Sequence, residues 1–143
     1  MSALAAAVVV LALVAVATVL GLWWRSRNGR AARRVAERRV TSEELGTIEA
    51  FGDAATIVQF STEFCAKCPG TRRLLGEVAG ERRGVAVIDV DLTHRAALAD
   101  AFSVLQTPTI LLLDANGIIR SRIGGAPTRD VVARELQGVF AAA

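Results

Sequence analysis

The segment Ala55-Thr-Ile-Val-Gln-Phe-Ser-Thr-Glu-Phe-Cys-Ala-Lys-Cys68 is the most informative part of the chain. Its first seven residues are mostly apolar or β-branched, which is typical of a buried strand. Two cysteines follow, Cys65 and Cys68, and helical periodicity begins soon afterwards, with the apolar residues of 71–80 falling on one face. A Cys-x-x-Cys motif between a strand and a helix is typical of a redox site.

The spacing of the two cysteines has a chemical reason. One turn of helix brings the two sulfurs close enough to bond and leaves Cys65 exposed at the helix N-terminus, where the helix dipole favours a thiolate. A thiol with a pKa of about 8.5 is only a few per cent ionised at pH 7, whereas one with a pKa of about 7 is half ionised. Lys67 lies between the cysteines and has two interpretations: it tunes the thiol pKa, or it is an exposed turn residue.

The rest of the chain after the motif alternates strands and helices. The sequence predicts strands over 85–90, 109–113 and 118–123, helices over 95–102 and 127–140, and an Asn-Gly turn within 114–117. With the first strand and helix the order is β-α-β-α-β-β-α. This order predicts an α/β fold, a mixed β-sheet flanked by helices.

A second motif lies about forty residues after the cysteines, where Thr107-Pro108-Thr109 enters a predicted strand. With this motif, the Cys-x-x-Cys and the strand order, residues 51–143 resemble the thioredoxin family. The resemblance implies that Pro108 is cis and faces the dithiol, and that Thr107 pairs its backbone with the extended chain of the substrate. It also implies that Gly124, just after the last strand, lets a substrate approach.

The same resemblance implies a mechanism. Cys65 would be the attacking thiolate, and Cys68 would resolve the mixed disulfide that Cys65 forms with its target. Phe64 stands where the family usually has tryptophan and would keep the role of an apolar wall. No cofactor is implied beyond the cysteine pair. The implied partners are proteins with disulfides and an electron donor that the sequence does not identify.

One departure from the family pattern concerns the buried strand before the motif. The family usually has a buried aspartate six residues upstream of the first cysteine, and this chain has Gln59 there. The family's buried lysine partner falls near Val87. Because an amide cannot titrate, Gln59 cannot act as a base toward Cys68, and fast general reductase activity is in doubt.

The sequence therefore leaves three functions open. The first is a thiol-disulfide oxidoreductase, reducing if it faces the cytoplasm. The second is a non-catalytic binding or redox-sensing module, since one scaffold supports many functions. The third is a carrier of persulfide sulfur on Cys65. A structural zinc site is not predicted, because it needs about four ligands and the chain offers two cysteines, His94 and carboxylates.

The N-terminus predicts a membrane anchor. Ala3 to Trp24 is uncharged and would span roughly 33 Å as a helix, enough for a hydrocarbon core of about 30 Å. A cleaved signal peptide is disfavoured, because the apolar run is long and no basic side chain precedes it. We therefore predict a transmembrane helix over 1–24, a basic juxtamembrane linker over 25–50 and a thioredoxin-like domain over 51–143.

Charge along the chain predicts orientation and excludes one class of partner. Seven arginines fall within 25–40 against one glutamate, and no basic side chain precedes the apolar run. By the positive-inside rule the domain would face the cytoplasm from a single-pass anchor. From Thr41 onward acidic residues outnumber basic ones, thirteen to ten. The high pI thus belongs to the linker, so nucleic acid is not a predicted partner.

Overall fold

The structure of the protein, a computed structural model, describes residues 3–27, 31–32 and 38–142. The helices are α1 (Ala3–Arg27), α2 (Ser42–Leu45), α3 (Cys68–Gly80), α4 (Ala96–Ala101) and α5 (Arg129–Ala141). The strands are β1 (Ala31–Ala32), β2 (Ala55–Ser61), β3 (Val85–Asp91), β4 (Thr109–Asp114) and β5 (Ile119–Gly124).

The strands form one mixed sheet in the order β1-β5-β4-β2-β3. β2 is parallel to β3 and antiparallel to β4, and β5 is antiparallel to both β4 and β1. Helix α3 connects the parallel strands β2 and β3, as a crossover connection requires. The predicted α/β fold, with a mixed sheet flanked by helices, is confirmed.

β2 lies in the middle of the sheet, and all seven of its residues are buried. Alternate side chains point to opposite faces of a strand, so β2 contributes to two apolar clusters. One cluster packs on the face that carries α2 and α4 and contains Val58, Phe60, Ile88, Leu111 and Phe102. The other packs beneath α3 and α5 and contains Ile57, Leu75, Ile110, Ile123 and Leu136.

Two short elements near the start of the domain, α2 and β1, were not predicted. Helix α2 is one turn long and carries a capping box, in which the Thr41 side chain accepts from the Glu44 amide while the Glu44 side chain accepts from the Thr41 amide. Val40 and Leu45 are buried in the core beside it. Part of the segment predicted as linker therefore packs in the folded unit, and residues 28–30 and 33–37 of it lie outside the described residues.

Helix α1 has the length and composition of a membrane span over Ala3–Trp24, and a signal sequence has the same properties. Its side chains are exposed throughout that range. Ala31 comes four residues after the last residue of α1, and the backbone of Ala31 and Ala32 pairs with Ile123 and Arg122 of β5. The chain that leaves the apolar helix thus joins the edge of the sheet.

Candidate active site

The two cysteines form a disulfide, with their Cα atoms 5.4 Å apart. Cys68 is the first residue of α3 and is only 2% exposed, whereas Cys65 lies in the preceding turn and is partly exposed. The Cys68 amide donates to the Cys65 carbonyl oxygen at 3.1 Å. The helix thus begins at Cys68 rather than at Thr71, because Pro69 suits a first turn, where a missing N–H costs little. Only the Cys65 sulfur is open to a partner.

Gln59 lies directly beneath this turn. Its side chain is fully buried in β2, and its Nε2 donates to the Cys68 carbonyl oxygen at 3.1 Å. Its Oε1 is also buried and has no hydrogen-bond partner within the described part of the chain. Val87 lies two residues before Asp89, the residue that pairs with Gln59 in β3. A neutral, half-satisfied amide therefore occupies the space behind Cys68.

The Thr107–Pro108 peptide is cis. It immediately precedes β4, whose first residue, Thr109, pairs with Phe60 near the end of β2. The Thr107 hydroxyl is 3.3 Å from the Thr62 hydroxyl, which lies at the start of the cysteine loop. The sheet thus brings both sequence motifs to the same end. Among the described residues, the Thr107 amide and carbonyl make no backbone hydrogen bond.

Gly124 completes this end of the sheet, opposite Thr109. A Cβ atom at Gly124 would lie 2.7 Å from Nε2 of Gln106, so the glycine leaves room for that side chain. The next residue, Gly125, adopts a left-handed φ of 83° and donates its amide to the Pro108 carbonyl oxygen at 2.8 Å. Gln106 and Gly125 were not predicted, although each lies next to a residue that was, Thr107 and Gly124 respectively.

The loops that carry the two sequence motifs each expose a large apolar side chain. Phe64 is 86% exposed and directly precedes Cys65, and Leu105 is 95% exposed and lies three residues before Pro108. Phe64 was expected as an apolar wall, but Leu105 was missed because an isolated leucine in a loop has no periodic pattern. Lys67 is exposed between the cysteines. Each motif thus lies close in sequence to an exposed apolar side chain, and the cysteine turn also carries one cation.

The start of the cysteine loop is held by the loop after β3. Asp91 accepts hydrogen bonds from the Thr93 hydroxyl and, at 2.8 Å, the Thr93 amide, and these lower the pKa of Asp91. The Thr93 hydroxyl oxygen in turn accepts from the Glu63 amide at 3.0 Å. This chain of bonds fixes the backbone two residues before Cys65.

No group of three or more histidine, cysteine, aspartate or glutamate side chains in the described ranges is placed to hold a metal ion. His94 lies in the loop after β3, lining a pocket with Asp91 and Arg95 rather than with the cysteines. The chemistry that this arrangement supports is thiol-disulfide exchange between Cys65, Cys68 and an external sulfur.

The chain is similar in sequence and fold to known proteins. The thioredoxin family profile matches residues 40–137. A thioredoxin of Mycolicibacterium smegmatis is 31% identical over 100 residues, which cover 68% of this chain and 88% of that protein. Among solved structures, chloroplastic thioredoxin z has a TM-score of 0.58 at 22% identity and covers 75% of this chain and 96% of its own. An uncharacterised thioredoxin-like protein from Clostridium perfringens has a TM-score of 0.56 at 24% identity, with coverages of 64% and 75%. The profile match and the bacterial relative place the chain in the thioredoxin family, whose Cys-x-x-Cys chemistry is thiol-disulfide exchange.

Proposed function

We propose that this chain is a membrane-anchored oxidoreductase that reduces disulfides in protein substrates. The observation that carries the proposal is the unequal exposure of the bonded pair, with Cys65 partly open and Cys68 buried beneath it. A nucleophilic thiol needs access, whereas a resolving thiol needs only to reach its neighbour. The pair therefore suits a two-step exchange.

In the reduced protein, the Cys65 thiolate attacks one sulfur of a substrate disulfide and releases the other as a thiolate. The Cys68 thiol then passes its proton to that departing thiolate and attacks the Cys65 sulfur. This step re-forms the Cys65–Cys68 disulfide and releases the second substrate sulfur as a thiolate, which takes up a proton from water. Two electrons pass to the substrate, and a dithiol reductant recharges the pair. Beyond the two cysteines, no cofactor is needed.

The residues around the pair suit an extended substrate chain. The Thr107 amide and carbonyl make no backbone hydrogen bond within the described part of the chain, Gly124 and Pro108 shape the surface beside it, and Phe64 offers an apolar contact. The position of α3 favours a Cys65 thiolate, because the positive end of the helix faces the turn. Lys67 adds a cation to the same turn. We assign these residues to substrate binding and to tuning of the Cys65 pKa.

The reaction test compares the full chain with two single-cysteine variants in an insulin-reduction assay driven by dithiothreitol. Cys65→Ser should abolish both turnover and mixed-disulfide formation, because no exposed thiol remains. Cys68→Ser should accumulate a mixed disulfide on Cys65 that is visible on a non-reducing gel. Limiting alkylating agent near pH 7 should label Cys65 first in the reduced wild type. Preferential labelling of Cys68 would reverse the assigned roles.

A second candidate is a binding or sensing module that holds a partner without turning over. Gln59 favours it, because a neutral amide cannot accept the proton of Cys68 and resolution would be slow. The same assay separates the two functions. A folded full chain that reduces insulin no faster than dithiothreitol alone would favour the binding module.

The anchor is supported by α1 and by the basic flank that follows it. An uncharged run from Ala3 to Trp24 followed by seven arginines within 25–40 fits a single span with the domain in the cytoplasm. The full-length protein should then remain in the membrane fraction after carbonate extraction, and its domain should resist protease added to intact spheroplasts. Release by high salt alone would contradict the span, and digestion of the domain would contradict the orientation.

A further inference from the structure

The connection between α1 and the sheet enters the domain at a specific place. Ala31 pairs with Ile123, the residue before Gly124, and Gly124 pairs with Thr109, the residue after Pro108. The anchor is therefore attached at the end of the sheet that carries the dithiol. At the opposite end lie the β4–β5 turn and the start of β2.

The tether between these two parts is short. Residues 28–30 separate Arg27 from Ala31, so even a fully extended chain spans at most about 14 Å between those two Cα atoms. The polar headgroup layer is itself about 5–8 Å thick on each side of the hydrocarbon core. The first strand of the domain thus begins close to the lipid headgroups, and the domain has little freedom to turn its cysteines away.

A groove joins the anchor directly to the site. It has a volume of about 630 Å³ and is lined by Gly21 and Trp24 of α1 on one side and by Lys67, Thr107 and the loop 125–128 on the other. Gly21 lies one turn inside the end of the apolar span. If the span ends at Trp24, lipid lies beside the anchor wall of this groove, and Lys67 lies at the depth of the headgroups.

The exposed side chains at this end of the domain suit the same environment. Phe64 is exposed in the cysteine loop, Leu105 is exposed in the loop before the cis proline, and Trp24 is exposed at the end of the span. Large apolar and aromatic side chains are favoured at the boundary between lipid and water. An entirely aqueous site would gain nothing from these exposed groups until a partner covered them.

We infer that the dithiol works in the interfacial layer of the membrane and that its substrates are disulfides in the membrane-proximal segments of other membrane proteins. This inference rests on the proposed function, and it narrows the substrate class from protein disulfides in general to those held near the bilayer. A partner in the same membrane can diffuse laterally and bind its juxtamembrane segment in the groove beside Thr107. A disulfide held far above the bilayer cannot reach Cys65, because the short tether keeps Cys65 close to the membrane surface.

The exchange itself is unchanged by this restriction. The reduced Cys65–Cys68 pair gives two electrons to the substrate disulfide, and the substrate leaves as two thiols. A dithiol reductant restores the pair. The anchor raises the effective concentration of the dithiol for disulfides held close to the membrane surface, without any new contact.

The test uses the reduced full chain in vesicles of phosphatidylcholine and phosphatidylglycerol. Two single-span peptides carry the same disulfide, one directly after the span and one beyond a rigid helical spacer of about 40 residues, roughly 60 Å long. A soluble peptide with that disulfide serves as the reference. We expect the membrane-proximal disulfide to be reduced about tenfold faster than the distal one.

A matched variant moves the site instead of the substrate. A rigid helical insertion of about 20 residues directly after Arg27 lifts the domain by roughly 30 Å. It should slow reduction of the proximal disulfide about tenfold and leave the rate with the soluble peptide unchanged. Equal rates for the two anchored disulfides, or no effect of the insertion, would overturn the inference while leaving the oxidoreductase intact. Failure to reduce even the soluble peptide would overturn the proposed function and this inference with it.

Discussion

Two buried polar side chains, Asp114 and Gln59, lie toward opposite ends of the sheet and differ in how fully their polar atoms are hydrogen-bonded. Asp114, at the end of β4, accepts hydrogen bonds from the amides of Asn116 and Ile118 at 2.8 and 3.0 Å and from Nε of Arg120 at 2.8 Å. Gln59, beneath the cysteines, gives one hydrogen bond to the Cys68 carbonyl and leaves its Oε1 without a partner in the described chain. Both side chains are almost completely buried.

The difference shows where this fold can hold a buried charge. Burial alone would raise the pKa of Asp114, but the hydrogen bonds from the Ile118 amide, Arg120 and the Asn116 amide outweigh it, and the pKa is lowered. A turn with free amides and a nearby guanidinium can therefore stabilise a carboxylate. Behind Cys68, Oε1 of Gln59 has no hydrogen-bond donor among the described residues, and a neutral amide stands where the family resemblance implies an acid.

The largest expected effect is a loss of stability when Asp114, at the end of β4, is replaced. Asp114→Asn should lower the free energy of unfolding by about 2–4 kcal/mol, because it removes the ion pair between Asp114 and Arg120 and replaces an acceptor by a donor facing amides. Pulse proteolysis in urea measures this, since both tryptophans lie in α1 and do not report on the domain. Asp53→Asn, at an exposed position, is the control and should have little effect. A loss for Asp114→Asn no larger than that of the control would mean that the turn does not depend on the carboxylate.

An intermediate effect is expected at the redox end. Gln59→Asp should speed resolution of the mixed disulfide about tenfold or more, because a carboxylate behind Cys68 can accept its proton. It should also lower stability by roughly 1–3 kcal/mol, since it buries an acid without a cation. The rate is measured by stopped-flow release of the second substrate thiol.

Gln59→Asn is the matched control, because it has the same shape as Gln59→Asp without the charge. It should share any cost of shortening the side chain but show no gain in rate. An unchanged resolution rate in folded Gln59→Asp would show that the amide at this position does not limit the reaction.

The smallest expected effect concerns how stability depends on pH. The dependence should have opposite signs for the Asp114 carboxyl and for the carboxyl introduced by Gln59→Asp. Because the folded pKa of Asp114 is lowered, its contribution to stability is present above the unfolded value of about 3.9 and is lost as the pH falls through the folded value. The stability gap between wild type and Asp114→Asn should therefore shrink below about pH 4. In Gln59→Asp the buried carboxyl should have a raised pKa, so that variant should lose stability as the pH rises above about 3.9. Urea midpoints across this range measure both, and trends of the same sign would contradict the comparison.

The sequence predicted the larger elements of the domain because each has an unambiguous pattern. β2 and β4 are short apolar runs, and α5 is amphipathic. It did not predict β1, since two alanines carry no periodicity, nor the core positions of Val40 and Leu45, since they lie close to a basic segment. These positions depend on tertiary contacts.

At the site, the cysteines, Thr107, Pro108 and Gly124 followed from spacing and from the family resemblance. Leu105 and Gln106 did not, because the location of a loop side chain depends on how the strands are paired. The sequence also marked Asp114 only as the start of an Asn-Gly turn. That it is buried, with three donors around it, became visible only in the folded chain.

The pairing of Ala31 and Ala32 with β5 also determines how the sheet avoids other sheets. An uncovered edge strand presents unpaired amides and carbonyls that can template association with another chain. On one edge β1 covers part of β5, and on the other β3 carries the carboxylates of Asp89 and Asp91, which discourage edge-to-edge pairing. A soluble form that begins at Arg38 would lose the first of these protections. It would keep its core and its cysteines but expose an uncovered edge strand, so proteolytic removal of residues 1–37 would change the solubility of the domain.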